Sequence, residues 1–580
     1  MKKIELFALC VMAVACGCSK ENIWDTTTSE QSSTSGVSGS TTVETESDEE
    51  DLIANTEFAR TITITFSDSG GASVSGDENG IVSISGNAVT INNTSTTEKV
   101  KYVLSGSTTN GYLKIYSNNK QALVLDGVSI ANPGGAAINN QGKKRCFVIV
   151  NGTNTLADGS SYNTPEEEDE KAAFFSEGPL VFSGEGTLTI TAKGKSGLTS
   201  DDYIHFLGSQ TVNVSSSAGH GIRGKDFIMV TGGTITAEAS AAMKKGMSSD
   251  SLVVFNGGNT TIKVTGGTAY DSDDAEYKSS AGIKADQFFV MNAGTLTVTN
   301  SGAGGKGISC DGPAYFQGGK VSVTVTGSNY GSSSGSGRPG GWGGSSSSSD
   351  SSKSAKGIKI DGNIYISGGD IYAYAKNHEA IESKAEIQIT GGTVYAQSGD
   401  DAINSKGNMA ITGGHVCAYS TGNDGIDTNG NCYIEGGVVY AVGSGSPEVA
   451  VDANTEGGYK LYVNGGIIFA IGGLESGSVL SQACYSTSWS KNNWYALNAD
   501  GETWCFKSPS SGGSGLVVSA ASKPTVYTGV TPEGGTAEFN GMGIFGGSAS
   551  GGSQVTITSY SSGSGMGGGM PGGGPGGWGW

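Results

Sequence analysis

IESKAEIQITGGTVYAQSGDDA (residues 381–402) runs directly into INSKGNMAITGGHVCAYSTGNDG (residues 403–425), and the two stretches read as one unit written twice. Ile381 corresponds to Ile403, Gly391-Gly392 to Gly413-Gly414, and Val394 to Val416. The unit is an apolar pivot after Gly or Ala, a turn, a short strand, a Gly-Gly pair and another strand. A third copy starts at Ile426, and the pivot is met upstream at Leu198, Ile222, Met247, Ile283, Ile308 and Ile358. The step between the last four pivots is 22 or 23 residues. A helix-free unit this short cannot bury its apolar side alone, whereas stacked units bury it continuously. The expected fold is therefore all-β: a right-handed parallel β-helix solenoid over residues 59–473. A propeller is excluded because each blade needs roughly 40–50 residues.

Working outward, the pivot step widens to 36 residues between Met247 and Ile283 and to 50 between Ile308 and Ile358, and each time the pattern resumes. These are insertions that leave the solenoid. The second contains a Gly/Ser tract, residues 328–354, with Arg338-Pro-Gly-Gly-Trp342; a similar Pro575-Gly-Gly-Trp578 stands in the tail at 561–580. Both tracts are expected to be disordered. Between 474 and 560 the repeat stops, while strand-like runs such as Gly515-Leu-Val-Val-Ser519 continue near Trp489, Trp494 and Trp504. This region is read as a small β-rich C-terminal cap, which an open sheet edge requires.

The formal net charge of −20 argues against nucleic acid, whose phosphates need a basic face. Residues 1–18 combine Lys2 and Lys3, an apolar run too short to span a membrane, and Ala-Val-Ala-Cys-Gly-Cys, which is similar to a lipoprotein signal peptide. Cys18 is the expected lipidated residue, with Cys16 or ordinary secretion as alternatives. Residues 19–58, rich in Ser, Thr and acids, are expected to form a disordered tether. The protein is thus expected to be exported, lipid-anchored at the outer membrane or cell surface, touching membrane only through its anchor, and monomeric. The six cysteines beyond Cys18 include no C-x-x-C pair, so no zinc site is indicated, and one disulfide, Cys484 to Cys505, is expected.

Registering the units on the pivot stacks equivalent side chains about 4.8 Å apart along the axis. Two places before the pivot stand Lys245, Lys306 and Lys356, then Glu379, Asp401 and Asp424. One place after it stand Lys284, Ser309 and Lys359, then Glu382, Asn404 and Asp427. Like charges stacked this closely need compensation, either by salt-bridge ladders through Lys384 and Lys406 or by a divalent cation. Calcium, a hard ion with six to eight oxygen ligands, is expected at Glu379, Glu382, Asp400, Asp401, Asn404, Asn423, Asp424 and Asp427. After the Gly-Gly turn, Tyr372, Tyr395 and Tyr440 alternate with inward Ile371, Val394 and Val439, while Tyr374 and Tyr419 lie two places further along. These five tyrosines form either an outward strip that stacks on sugar rings or an aromatic ladder packed beneath the cap.

Val100-Lys-Tyr-Val-Leu-Ser105, Leu123-Val-Leu-Asp-Gly-Val-Ser-Ile-Ala131, Gly135-Ala-Ala-Ile138 and the serial Gly-Ile-Lys-x-Asp and Asp-Asp-Ala-Ile-x-Ser turns resemble one family. It comprises bacterial calcium-associated carbohydrate-binding proteins with a polysaccharide-lyase-like right-handed β-helix, and the likeness spans about residues 60–470. It implies a β-helix, calcium and glycan binding. Asp400, Asp401, Asp424 and Asp427 fit its acidic turns; Lys245, Lys306 and Lys356 depart from them and would instead receive a uronate-containing glycan. Non-catalytic polysaccharide binding is therefore expected, the ligand a plant-type or uronate-containing glycan. The alternatives are a calcium-dependent lyase or hydrolase, with Arg223, Lys245 and Lys284 or the pair Asp401 and Asp424 in play, and an adhesin or matrix scaffold.

Overall fold

The computed structural model describes residue 45 and residues 47–165, 168–331 and 352–563. Cys18 and the signal peptide, most of the tether, most of the Gly/Ser insertion and the Gly/Trp tail lie outside the described residues. Within them the chain is all-β, with four short 3-10 turns and no α-helix.

Most coils carry three short strands; the coil of Ile358 has them at Lys356–Ile360, Ile364–Ile366 and Asp370–Ala375, whereas in the coils of Met247 and Ile283 the last two merge into one, Leu252–Val264 and Phe288–Asn300. The first strands of successive coils form a 14-stranded sheet. All nine pivots pair in register along it, from Leu198 with Ile222 to Ile403 with Ile426. The ladder also starts earlier, at Val89, Leu113, Ile138 and Phe174, and continues through Val451 and Leu474. Inward residues of the three faces make one continuous core in which the pivots are buried. Gly-Gly pairs turn the chain between the second and third strands because the second glycine sits at positive φ, as at Gly392 (φ 77°) and Gly414 (φ 74°).

The first insertion folds as an antiparallel hairpin, Ala269–Asp271 with Glu276–Lys278. At the C-terminal end the parallel ladder is stopped by antiparallel pairing of Leu516–Ser519 onto Ile467–Ile471. A six-stranded antiparallel sheet of residues 494–555 follows. This cap lies on the flank of the last coils as well as closing the edge. Its Tyr495, Leu497, Phe506, Val526 and Phe545 pack on Tyr395, Tyr419, Tyr440 and Phe469.

Two expectations are corrected here. The tether is not solvated throughout. Asp48 to Asn55 form two 3-10 turns against the solenoid, and Asp51 is 3% exposed. The Arg145 guanidinium meets Asp51 at 2.7 Å, Asp48 at 2.6 Å and Glu50 at 3.0 Å, while His205 meets Asp51 at 2.6 Å. An acidic run looks like a tether until its buried cationic partners, far along the chain, are known. Nor is Cys484 bridged to Cys505. Both are free thiols, Cys484 in the solenoid core and Cys505 in the cap beside Ala496 and Val530.

Candidate functional site

A cleft of about 750 Å³ opens on the 14-stranded sheet and runs across the coils from His220 to Lys384. Both insertions wall it: Glu276, Tyr277 and Lys278 come from the hairpin, and Ser352, Lys353 and Ser354 from the return of the second insertion. The outward columns flanking the pivot supply its floor. One place after the pivot, Arg223, Ser248, Lys284, Ser309 and Lys359 follow one another in register. Two places before it, Lys245, Ala281, Lys306 and Lys356 do the same. Cations thus alternate from side to side over the coils of Ile222 to Ile308, and the coil of Ile358 carries one on each side.

The two sides differ in how their charge is met. Arg223 makes a two-pronged pair with Asp250 at 2.8 Å. Lys284 sits between Asp286 and Asp311 at 2.8 and 2.6 Å, and Lys359 meets Asp361 at 2.6 Å. Burial works against the charge on Lys284, but its two aspartates outweigh that and leave its pKa raised. On the other side Lys245 reaches only the Met243 carbonyl at 2.7 Å, and Lys306 the carbonyls of Gly304 and Ser354. Among the described residues neither lysine has a carboxylate partner. Burial, reinforced by neighbouring lysines, lowers Lys306 to about 7 and Lys245 to about 8. His220 accepts a hydrogen bond from the Lys245 backbone N–H at 3.0 Å, and burial beside these cations holds it neutral, down to about 3.

At Lys356 the sign of the surface changes. Its ammonium bridges Glu379 (3.1 Å) and Glu382 (2.6 Å) on the next coil. Burial would raise Glu379, yet its hydrogen bond with His378 and the Lys356 charge prevail and bring it to about 2. Asp400 takes His378 at 3.2 Å and the Asn423 amide at 3.2 Å. Beyond this seam no ion pair reaches Asp401, Asp424 or Asp427 among the described residues. Asp401 is pushed up to about 8 by burial and then by Asp427 and Asp400. Asp424 and Asp427 are raised by burial and by neighbouring carboxylates. The Asn404 amide donates to Asp401 (3.1 Å) and Asp427 (2.6 Å), and the Val449 N–H donates to Asp424 (2.5 Å).

The eight residues expected to share calcium therefore separate into two groups. Glu379, Glu382 and Asp400 are held by Lys356 and His378, and Asn423 by Asp400. Asp401, Asp424 and Asp427, with Asn404 between Asp401 and Asp427, have no cation partner among the described residues. Lys384 does not serve as one, since it turns to Asp361 at 3.5 Å. Sequence reading missed that the acidic column continues. Asp452 follows Asp427 and Glu475 follows Asp452 on the next two coils, and Asp452 is strongly raised by burial and by Glu475. The signal was there: Ala450-Val451 and Gly473-Leu474 keep the apolar pivot after Ala or Gly, at successive steps of 25 and 23 residues from Ile426.

The outward aromatic strip is corrected as well. Tyr440 is 0% exposed and donates to the Lys507 carbonyl at 2.8 Å; Tyr395 and Tyr419 are buried with it under the cap. Only Tyr372, stacked on Tyr395 at 5.5 Å, and Tyr374 stay partly open at its edge. A stacked pair that sequence reading did not single out, Tyr433 and Tyr462 at 4.9 Å, is also half-buried.

No curated protein matches the chain. Among solved structures, a polysaccharide lyase-like protein from C. thermocellum, studied as a gadolinium derivative, is 23% identical. The match covers 44% of this chain and 96% of that one, at a TM-score of 0.35. The model of one protein family matches three overlapping stretches, residues 85–242, 240–331 and 302–402. They take in the early coils, the cleft and the charge seam, more than half of the chain, and the protein belongs to the family described as carbohydrate-binding domain-containing protein.

Proposed function

We propose that the protein binds an acidic, uronate-containing polysaccharide without cleaving it, along the cleft of the 14-stranded sheet. The observation that carries this reading is the cleft itself: two insertions wall a polar channel along the coil stack, and cations on successive coils line its floor. A concave, cation-lined site concentrates an anionic chain, and serines and backbone groups are left to meet its hydroxyls.

Calcium belongs to the same reading, at the acidic end. Asp401, Asp424, Asp427 and Asp452 carry carboxylates on neighbouring coils, a hard-oxygen donor type that suits calcium, and burial raises the pKa of each. An ion there would replace protons on these carboxyls and stiffen the last coils. Display at the cell surface through a lipid on Cys18, as a monomer, completes the proposal and rests on the sequence alone. Metabolic labelling with a radioactive fatty acid, lost in Cys18→Ala, checks the anchor.

A second reading has one observation in its favour. Lys306, its pKa lowered to about 7 inside a cationic cleft, is suited to abstract a proton beside a uronate carboxylate, as a lyase requires. Retention of the mature protein on polygalacturonate and on cellulose, with and without chelator, tests the binding proposal; absence of retention on every glycan overturns it. Unsaturated chain ends accumulating in the same incubation would replace it with the lyase reading.

A further inference from the structure

We propose that Lys245 and Lys306 are paired anion subsites, two coils apart, that hold acidic groups repeated along one polysaccharide chain lying parallel to the solenoid axis. This rests on the polysaccharide reading above and adds the residues and the spacing that select the chain. The shared chemistry is a carboxylate or a sulfate carried on a sugar.

The alternation of cations across the floor is the first support. Arg223, Lys284 and Lys359 stand on one side, and each is satisfied by aspartates of the protein. Lys245 and Lys306 stand on the other with only backbone carbonyls as acceptors among the described residues. Between them in the ladder is Ala281, which carries no charge. Two strand spacings separate the ammonium-bearing positions, about 9.6 Å along the axis.

The surrounding charge is the second support. Lys306 faces Lys356, Lys359 and Lys353, with Glu382 as its nearest acid, and Glu382 is already bound to Lys356. Lys245 faces Lys244, Lys278, Lys284 and Asp286, beside neutral His220 and the Arg223–Asp250 pair. Asp286 is bound to Lys284, and Lys278 is bound to Asp271 and Asp274. Each site is thus a half-buried lysine amine in a positive environment, with no carboxylate counter-ion among the described residues. A ligand anion supplies one. The lowered pKa values of both lysines agree with this, since an arriving anion makes them take up protons. Affinity is therefore highest below pH 7 and falls as the pH rises through 7 and 8.

The test uses the full mature chain in chelator, which silences the acidic end. Calorimetric titrations with oligogalacturonate, a sulfated oligosaccharide and carboxyl-reduced oligogalacturonate are compared at pH 6.5 and pH 9. The variants are Lys245→Met, Lys306→Met, the double variant, and the exposed control Lys320→Met. Each cleft variant is expected to lose about tenfold in affinity for the acidic probe, as for one charge-assisted contact, and nothing for the reduced probe. Wild-type affinity is expected to drop between the two pH values, with proton uptake visible in buffers of different ionisation enthalpy; this arm needs no substitution. Preference for the galacturonate or the sulfated probe identifies the anion. Equal, pH-independent binding of acidic and reduced probes would overturn the subsites and leave polysaccharide binding intact. Failure of all three probes would overturn both.

Discussion

The charge seam shows how much rests on single residues. Lys356 lies between Glu379 and Glu382 with all three side chains at most 12% exposed. Its replacement by Met leaves two buried carboxylates without their cation, which costs about 3 kcal/mol in urea unfolding. Thermal stability of Lys356→Met should recover as the pH is lowered, because protonation removes the unpaired charge. The opposite balance holds on the coils that follow directly. Asp401 has a folded pKa of about 8 against 3.8 in the unfolded chain, and Asp424, Asp427 and Asp452 are raised too. A carboxyl raised on folding contributes stability that is complete below its unfolded pKa and is lost as the pH climbs through the folded one. Without divalent cations, Tm is therefore expected to fall from about pH 5 to pH 9 by this term, and calcium to restore it most at the alkaline end. A Tm indifferent to calcium at pH 9, or an unchanged calcium response in Asp401→Asn/Asp427→Asn, would remove the ion from the proposal.

At the scale of the element, each coil depends on a turn and on what covers its outer face. Gly414 sits at φ 74° with the Gly391 backbone 2.7 Å from where a Cβ would stand. Gly414→Ala adds left-handed strain of about 1–2 kcal/mol to that clash, and denaturant unfolding should register at least this much. The third-strand tyrosines take the second of the two roles open to them in the sequence, packing beneath the cap. Whether an outward aromatic strip meets a sugar or a protein sheet is decided by residues 494–555, and nothing in the repeat carries that information. Their burial gives a clear expectation: Tyr440→Ala should cost about 3–5 kcal/mol by cavity formation, plus the lost bond to Lys507, yet leave retention on glycan unchanged. Tyr372→Ala, at the open edge, should perturb stability far less.

Over the whole molecule, what could be read from sequence was what stacking repeats. The pivots and charge columns recur at a fixed step, so nine of them were found, together with the insertions that wall the cleft. What stayed hidden were the rungs at Val89, Leu113, Ile138 and Phe174, interrupted by the 36-residue step between the last two, the acids Asp452 and Glu475 beyond the last pivot followed, and the docking of residue 45 and residues 47–58, a contact without a period. That strap has a consequence for cooperativity. Coils of a solenoid touch mainly their neighbours, so the stack can open from an end. The strap crosses several coils on the face away from the cleft. Phe58 packs on Phe147, Asp51 binds Tyr203 and His205, Ser47 approaches Met229, and Thr45 bonds with Asn256 and Asn292. Its anchor is Arg145, buried between three acids and Tyr203. Arg145→Met strands Asp51 without its main cation and should cost about 3 kcal/mol. Hydrogen exchange is expected to quicken in the strands at Cys146–Asn151, Tyr203–Phe206, Phe227–Val230 and Leu252–Val264, while Ile381–Ser383 and the cap exchange as before. Uniform acceleration along the chain would mean that the strap adds stability to the fold as one cooperative unit and does not tie particular coils together.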